Sequence, residues 1–290
     1  IFQSPPDYYF LNLFSKIKER EGTNLSFGIY PIIFYPKLLD TLLILPLVIK
    51  YIRFRINKNN WKKRYLSLGI KFYKINRYNF FSCFVKSIEK YKSIRTNEDI
   101  LSLKVNNIDI GDLVYDTYLR FYNKPTLDKK NFGIFVIIFR SYQLLHLLDE
   151  INEYKIVNKY FSSYCTYISH GIPVRFFLKN KSKVFSSGNI YEIIKRHDFD
   201  DPYQTRNLKF DHNLKNKNIE IGLKKIEKRI HGIEKLPFMK INTFNNDNEF
   251  KHDDLIGVVF LHDLFDSPHI YGNMIFNDFY EWTTFTLDLI

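Results

Sequence analysis

The sequence lacks the signatures that most often announce a chemistry. It contains no G-x-x-x-x-G-K-S/T, no H-E-x-x-H and no G-x-S-x-G, so a Walker phosphate cradle, zincin proteolysis and the hydrolase elbow are unsupported. Its opening segment has no G-x-G-x-x-G, which argues against an ordinary dinucleotide site. Cysteine is scarce: Cys83 and Cys165 stand far apart without C-x-x-C spacing. Neither a disulfide framework nor a zinc site is suggested, and two thiols in a chain this size fit a reducing compartment. The sequons at Asn24 and Asn180 are discounted for the same reason. The most apolar run, Leu38 to Ile49, is interrupted by Asp40 and Pro46 and falls short of the roughly 20 residues a bilayer span needs. It reads either as a core helix or, with the basic stretch that follows, as part of a membrane-surface helix. No internal repeat is visible.

Acidic residues are missing where basic ones gather. From Lys50 to Arg77 there are ten Lys and Arg and no Asp or Glu, within a chain of net charge +12. Such a field favours anionic partners, whether lipid headgroups, phosphorylated substrates or nucleic acid; a solvated basic face is the plain alternative. No nucleic-acid motif accompanies it, and the aromatics look helical and buried rather than displayed, so no nucleic-acid partner is expected.

The chain has 290 residues, of which 45% are hydrophobic, enough for one large domain or two ordinary ones. Phe and Tyr are abundant, at 28 and 21, alongside Ile, Asn and Lys, a pattern that an AT-rich genome produces. The first residue is Ile1 rather than Met, and the last, Ile290, falls within an expected helix. The chain therefore reads as a trimmed piece, with the missing part beyond residue 290.

Residues 1–4 read as the tail of a strand, Tyr9 to Glu21 as a helix stopped by Gly22, and Leu25 to Tyr30 as the next strand. Such a β-α-β start implies a parallel sheet. Helices are expected over 38–55, 61–68, 78–93 and 132–148, with a short strand at 71–75. A small hairpin should turn at Asn106-Asn107, and Gly111-Asp112 should open a helix, with Asp112 suited to its N-cap. A strand is expected within 154–160. Tyr167, Gly171 and Arg175 then fall on one face at i, i+4 and i+8, where a small Gly171 would let a ligand or a strand approach. Lys183 to Phe185 reads as a strand and 197–218 as a polar loop. Ile219, Leu223, Ile226 and Ile230 form a helical stripe. Residues 242–254 read as a linker and 255–261 as a strand. The expected domains are 1–245, and 246–290 as the start of a second lobe.

The densest group of chemically capable residues follows that last strand, from His262 to Trp282. A loop of two His, two Asp, Ser and Gly between a strand and a helix is well placed for a ligand. His262, Asp263, Asp266 and His269 have spacings that divalent cations accept. A His or Asp here also suits a general base, and backbone amides at the next helix's start suit a phosphate or sugar. A polar loop that merely caps that helix is the remaining reading.

Three blocks, residues 111–120 (GDLVYDTYLR), 167–175 (YISHGIPVR) and 262–282, in this order and with Gln3-Ser4-Pro5-Pro6 near the start, resemble bacterial capsule and surface polysaccharide biosynthesis proteins, which are similar to GT-B glycosyltransferases. The resemblance implies an α/β, Rossmann-like, two-lobed enzyme, cytoplasmic or peripheral to the inner membrane, that uses a nucleotide sugar as donor and a glycan or lipid-linked acceptor. No cofactor is expected, and no residue is assigned to a metal. It places Asp112, Asp116 and Arg120 along the cleft, and Tyr167, His170, Gly171 and Arg175 on the acceptor side, with Arg175 suited to an anionic sugar or lipid phosphate. His262, Asp263, Asp266 and His269 become the catalytic set, with Asn273 as a substrate contact. The basic 50–77 stretch would dock on an anionic membrane. A transferase moving a polyol phosphate, or a non-catalytic basic module on a membrane, are the other classes these residues fit.

Overall fold

The computed structural model describes residues 2–3, 26–27, 67, 71–72, 80–154, 157–162, 165–187, 194–197, 212–231, 233, 259, 261–271 and 274–289. Two compact units are present, Ile1–Thr205 with His262–Ile290, and Arg206–Leu261. The segment from His262, expected at the start of a second lobe, belongs to the first unit, and the expected break at 245/246 falls inside the second.

The first unit opens with short strands β1 (Phe2–Gln3), β2 (Ser26–Phe27) and β3 (Lys71–Phe72). Helix α1 (Phe80–Ser93) follows. Then comes α2 (Asn97–Leu101), started by a capping box in which the Thr96 hydroxyl accepts from the Asp99 N–H and the Asp99 carboxylate answers the Thr96 N–H. Strands β4 (Lys104–Val105) and β5 (Ile108–Asp109) form the expected hairpin. Asn106 and Asn107 both take left-handed backbone, at φ 49° and 56°, as a two-residue turn of type I′ requires.

Helix α3 (Gly111–Tyr122) starts as expected at Gly111. A β-carbon there would lie 2.1 Å from the Leu101 carbonyl oxygen and 2.2 Å from that of Ile100, so α3 can begin against the end of α2 only with glycine. Asp112 is not its N-cap; Ile110 takes that place without a side-chain cap, because the Asp112 carboxylate is drawn to a distant partner. Asn123, at φ 51°, closes the helix. Helix α4 (Phe132–Tyr154) runs six residues past its expected end. Its stretch Phe132–Glu153 is long and apolar enough to cross a membrane, and most of its apolar window is buried inside the unit.

Strand β6 (Lys159–Ser162), a π-helical turn (Tyr167–Gly171), α5 (Ile172–Lys179) and β7 (Lys183–Ser187) make a β-α-β crossover, since β6 and β7 pair in parallel. β1 adds to β6 in parallel and β8 (Ile194–His197) to β7 antiparallel, giving the order β1-β6-β7-β8. Thus β1 pairs with a strand some 160 positions on rather than with β2, which pairs with β3. The unit is α/β, and among the described residues its strands lie in three small sheets. The core gathers Ile100, Leu113, Tyr118, Ile137, Tyr160 and Phe177, each almost wholly removed from water.

In the second unit, α6 (His212–Ile230) begins inside the expected polar loop. Its Ile219, Leu223 and Ile226 are exposed. Val259 and Leu261, also of the second unit, show no regular backbone where a strand was expected. The rest of 255–261, and the helices expected over 9–21 and 38–55, lie outside the described residues. A 3-10 turn (Pro268–Tyr271) and helix α7 (Phe279–Asp288) complete the chain.

Candidate functional site

The site is a polar network built on α3. Asp112, Asp116 and Arg120 recur at i, i+4 and i+8, so one face of the helix carries all three. Each meets a residue from a distant segment. Asp112 and Arg175 of α5 form a two-pronged pair, Nη1 to Oδ1 at 2.7 Å and Nη2 to Oδ2 at 2.5 Å, and Nη1 also donates to the Asp109 carbonyl at 2.6 Å. Such forked pairing is geometrically specific. It engages the guanidinium expected to grip an anionic acceptor.

Asp116, 2% exposed, lies 2.6 Å from Nδ1 of His269, 8% exposed. Tyr115 donates its hydroxyl to the fully buried Asp278 at 2.7 Å, and its ring meets the His269 ring edge-on at 5.1 Å. Arg120 and Asp263 make a 3.6 Å pair at the half-exposed rim, where ion pairs contribute little.

Tyr167 donates to Asp266 at 3.3 Å. The Thr117 hydroxyl accepts the Ile168 N–H at 2.9 Å and donates to the Leu113 carbonyl at 2.5 Å, tying the π-helical turn to α3. Tyr167 sits at φ 57°, a left-handed conformation that is uncommon for an aromatic residue. Strain of this kind costs on the order of 1–3 kcal/mol and gathers at functional sites, as π-helical turns do.

The His262–Tyr271 loop is shaped by its own acids. Asp263 accepts the Phe265 N–H at 3.0 Å, Asp266 accepts the Ser267 N–H at 2.9 Å, and Pro268 opens the turn that carries His269. Asp278 is the N-cap of α7, accepting the Glu281 N–H at 2.9 Å.

Burial sets the electrostatics. It pushes the Asp116 carboxyl up to about 6, against the hydrogen bond and charge of His269. Burial opposes charging of His269, but the Asp116 bond and the nearby Asp116, Asp112 and Asp278 charges carry its pKa above the ordinary imidazole value. Burial also raises Asp112 despite Arg175. The Tyr115 phenol is raised by burial and by its bond to Asp278, and Tyr167 is pushed to about 12 by burial and the Asp266 charge.

The expected residues are thus only partly gathered. His269, Asp116, Asp112 and Arg175 are interlocked, and Asp266, Tyr167, Asp263 and Arg120 border them. His262 is exposed and stacks on Phe279 at 4.4 Å. His170 faces Ser162 Oγ at 3.3 Å, and burial lowers its pKa to about 4. At Gly171 a β-carbon would meet Leu113 at 2.4 Å, so the close approach there is that of α3. Asn273 lies outside the described residues. Tyr115, Thr117 and Asp278 were not among the expected site residues, although Asp278 caps α7 as its place before that helix suggests; Tyr115 and Thr117 flank Asp116 in the same helix, the one signal available for them. Among the described residues no group of three His, Cys, Asp or Glu is arranged to hold a metal ion. An open groove of about 550 Å³ is lined by Thr96, Asn97, Lys130, Asn277 and Glu281 among others, beside the network in sequence but without its buried pair. Compared with family models, curated proteins and solved structures, the chain matches none.

Proposed function

We propose that the protein is a glycosyltransferase of surface polysaccharide assembly, moving a sugar from a nucleotide donor to a hydroxyl of a glycan or lipid-linked acceptor at an anionic membrane surface. The observation that carries this reading is the 2.6 Å contact between Asp116 and His269, which joins two of the three resembling blocks across 153 positions. With Nδ1 facing the carboxylate, Asp116 orients the ring and leaves Nε2 for the acceptor. His269 Nε2 takes the hydroxyl proton as the oxygen bonds to the sugar carbon, and the nucleoside diphosphate leaves with the electrons of the broken bond. The Rossmann-like, two-lobed architecture belongs to the same proposal, with the α/β first unit as its acceptor side.

The burial of the network favours a second reading. Asp278, Asp116 and His269 are nearly inaccessible, as suits a polar latch that holds the C-terminal segment on α3 without chemistry.

The test uses the natural gene product, a panel of nucleotide sugars and free nucleotides, and an Asp116→Asn variant. One nucleotide family should raise the melting temperature. Asn keeps the shape but not the charge, so transfer should fall by about 10²–10⁴. The wild-type rate should rise as pH climbs through the raised His269 pKa, because the neutral ring is the base. Wild-type turnover in Asp116→Asn removes the proton role, and no response to any nucleotide removes the nucleotide-sugar reading.

A further inference from the structure

Away from the network, Lys92, Arg95, Lys129 and Lys130 line one groove of about 370 Å³ together with Tyr91 and Ile94. All four cations are exposed, and no acidic side chain lines the groove. Two neighbouring acids are turned to backbone, Asp99 accepting the Arg95 and Thr96 N–H groups and Asp128 that of Lys130, while Glu89 and Glu98 are exposed and do not line the groove. Lys129 Nζ donates to the Arg95 carbonyl, and Tyr91 donates to the Lys130 carbonyl at 3.5 Å, which joins the two walls.

Apolar surface adjoins this charge. On α1, Phe81 is 75% and Val85 37% exposed. Ile88 and Lys92 continue their line at helical spacing, so Lys92 belongs to both the stripe and the groove. Phe132, two residues beyond Lys130, is 50% exposed.

We propose that this face docks on an anionic lipid bilayer, with headgroup phosphates in the groove and Phe81, Val85 and Phe132 in the interface. Cations beside an apolar stripe match the layering of a bilayer surface, phosphate above hydrocarbon. The inference rests on the membrane contact in the proposed function and gives it a surface distinct from the 50–77 stretch. Its test needs no turnover, so its failure is separable from failure of the transferase reading.

Sedimentation with vesicles of phosphatidylcholine, with and without phosphatidylserine, measures the binding. Each cation near such a surface contributes about fivefold in partitioning, so Lys92→Gln/Arg95→Gln/Lys130→Gln should lose roughly a hundredfold. Lys92→Arg/Lys130→Arg should keep it, and Phe81→Ser/Val85→Ser should weaken it with little change in salt dependence. The substituted side chains are exposed, and melting curves check that the fold is intact. Equal binding of the triple variant overturns the proposal, as does equal binding to neutral vesicles. Saturation of the groove by inorganic phosphate, with vesicles ignored, overturns it in favour of a soluble anion. Retention of RNA by the same cations, without vesicle binding, overturns it in favour of nucleic acid.

Discussion

Removing the Asp278 carboxylate should release the C-terminal segment from α3. The group has two structural roles at once. Its Oδ1 accepts the Glu281 N–H at 2.9 Å and caps α7, and its Oδ2 accepts the Tyr115 hydroxyl at 2.7 Å. Asp278→Ala removes a cap worth about 1 kcal/mol. It also strands a buried phenol, which costs about 1–3 kcal/mol. The total is about 3 kcal/mol, a fall of roughly 6–12 °C in melting temperature for a domain of this size. Asp278→Asn keeps one carbonyl oxygen for the cap and presents its amide N–H to the Tyr115 oxygen, which can accept once the hydroxyl turns; it should cost about 1 kcal/mol or less, since Asn and Asp cap equally well. Tyr115→Phe should fall between, because the cap survives. Urea unfolding followed by tryptophan fluorescence reports the region directly: Trp282 lies one turn from Asp278, and the other tryptophan, Trp61, can be replaced by Phe. A melting temperature for Asp278→Ala within about 1 °C of wild type would refute the reasoning. So would equal losses for Ala and Asn, because the argument depends on the retained polar atoms.

Two further outcomes follow from burial and close contact. Burial holds the His170 pKa near 4, so between pH 6.5 and 4 the unfolded chain binds a proton that the native state refuses, and stability is lost as pH falls through that window. Full burial would make this about 3 kcal/mol, and the partly exposed ring about 2. Asp116 and His269 are raised and act in the opposite sense, so the measurement is the difference between wild type and His170→Gln across pH; parallel curves would contradict it. Gly111→Ala should cost about 3 kcal/mol, because its β-carbon meets backbone oxygens rather than a movable side chain. Gly222→Ala on α6, where a β-carbon meets nothing within 4 Å, should stabilise by up to about 1 kcal/mol. The reverse order in thermal melts would be inconsistent with this packing.

Local rules made some elements legible and long-range pairing hid others. Asn106-Asn107 could be read as a turn because two adjacent residues tolerant of left-handed backbone leave few alternatives between apolar runs. The start of α3 was equally visible at Gly111. Yet Asp112 satisfied the chemistry of an N-cap and took another role, because Arg175, 63 positions away, offers a stronger partner. Periodicity says nothing about such a meeting. It is equally silent on Tyr115 and Asp278, 163 positions apart, and on β1 choosing β6 over β2. The start of α6 was missed for a different reason. His212 to Asn218 is polar, and a helix there propagates from the apolar stripe that follows instead of carrying one of its own.

Whether the network is a latch or a proton relay can be argued from what each role demands. A latch needs no ions. Apolar side chains of similar volume generally hold segments together as well as a buried ion pair or better, by about 1–4 kcal/mol, because charges must first lose their water. Here three carboxylates, Asp112, Asp116 and Asp278, lie around His269 and act on its protonation. The same region holds Tyr167 in left-handed backbone and a π-helical turn. Each departure is unfavourable locally, and they coincide where three distant segments meet, the pattern in which local rules yield to function. On the proposed reading His269 Nε2 handles the proton, with the latch as the frame that positions it. Asp116→Asn separates the two, since it preserves volume and hydrogen-bonding shape. A relay loses transfer while the melting temperature barely moves, whereas a latch without chemistry lowers the melting temperature and leaves the turnover of the folded protein unchanged.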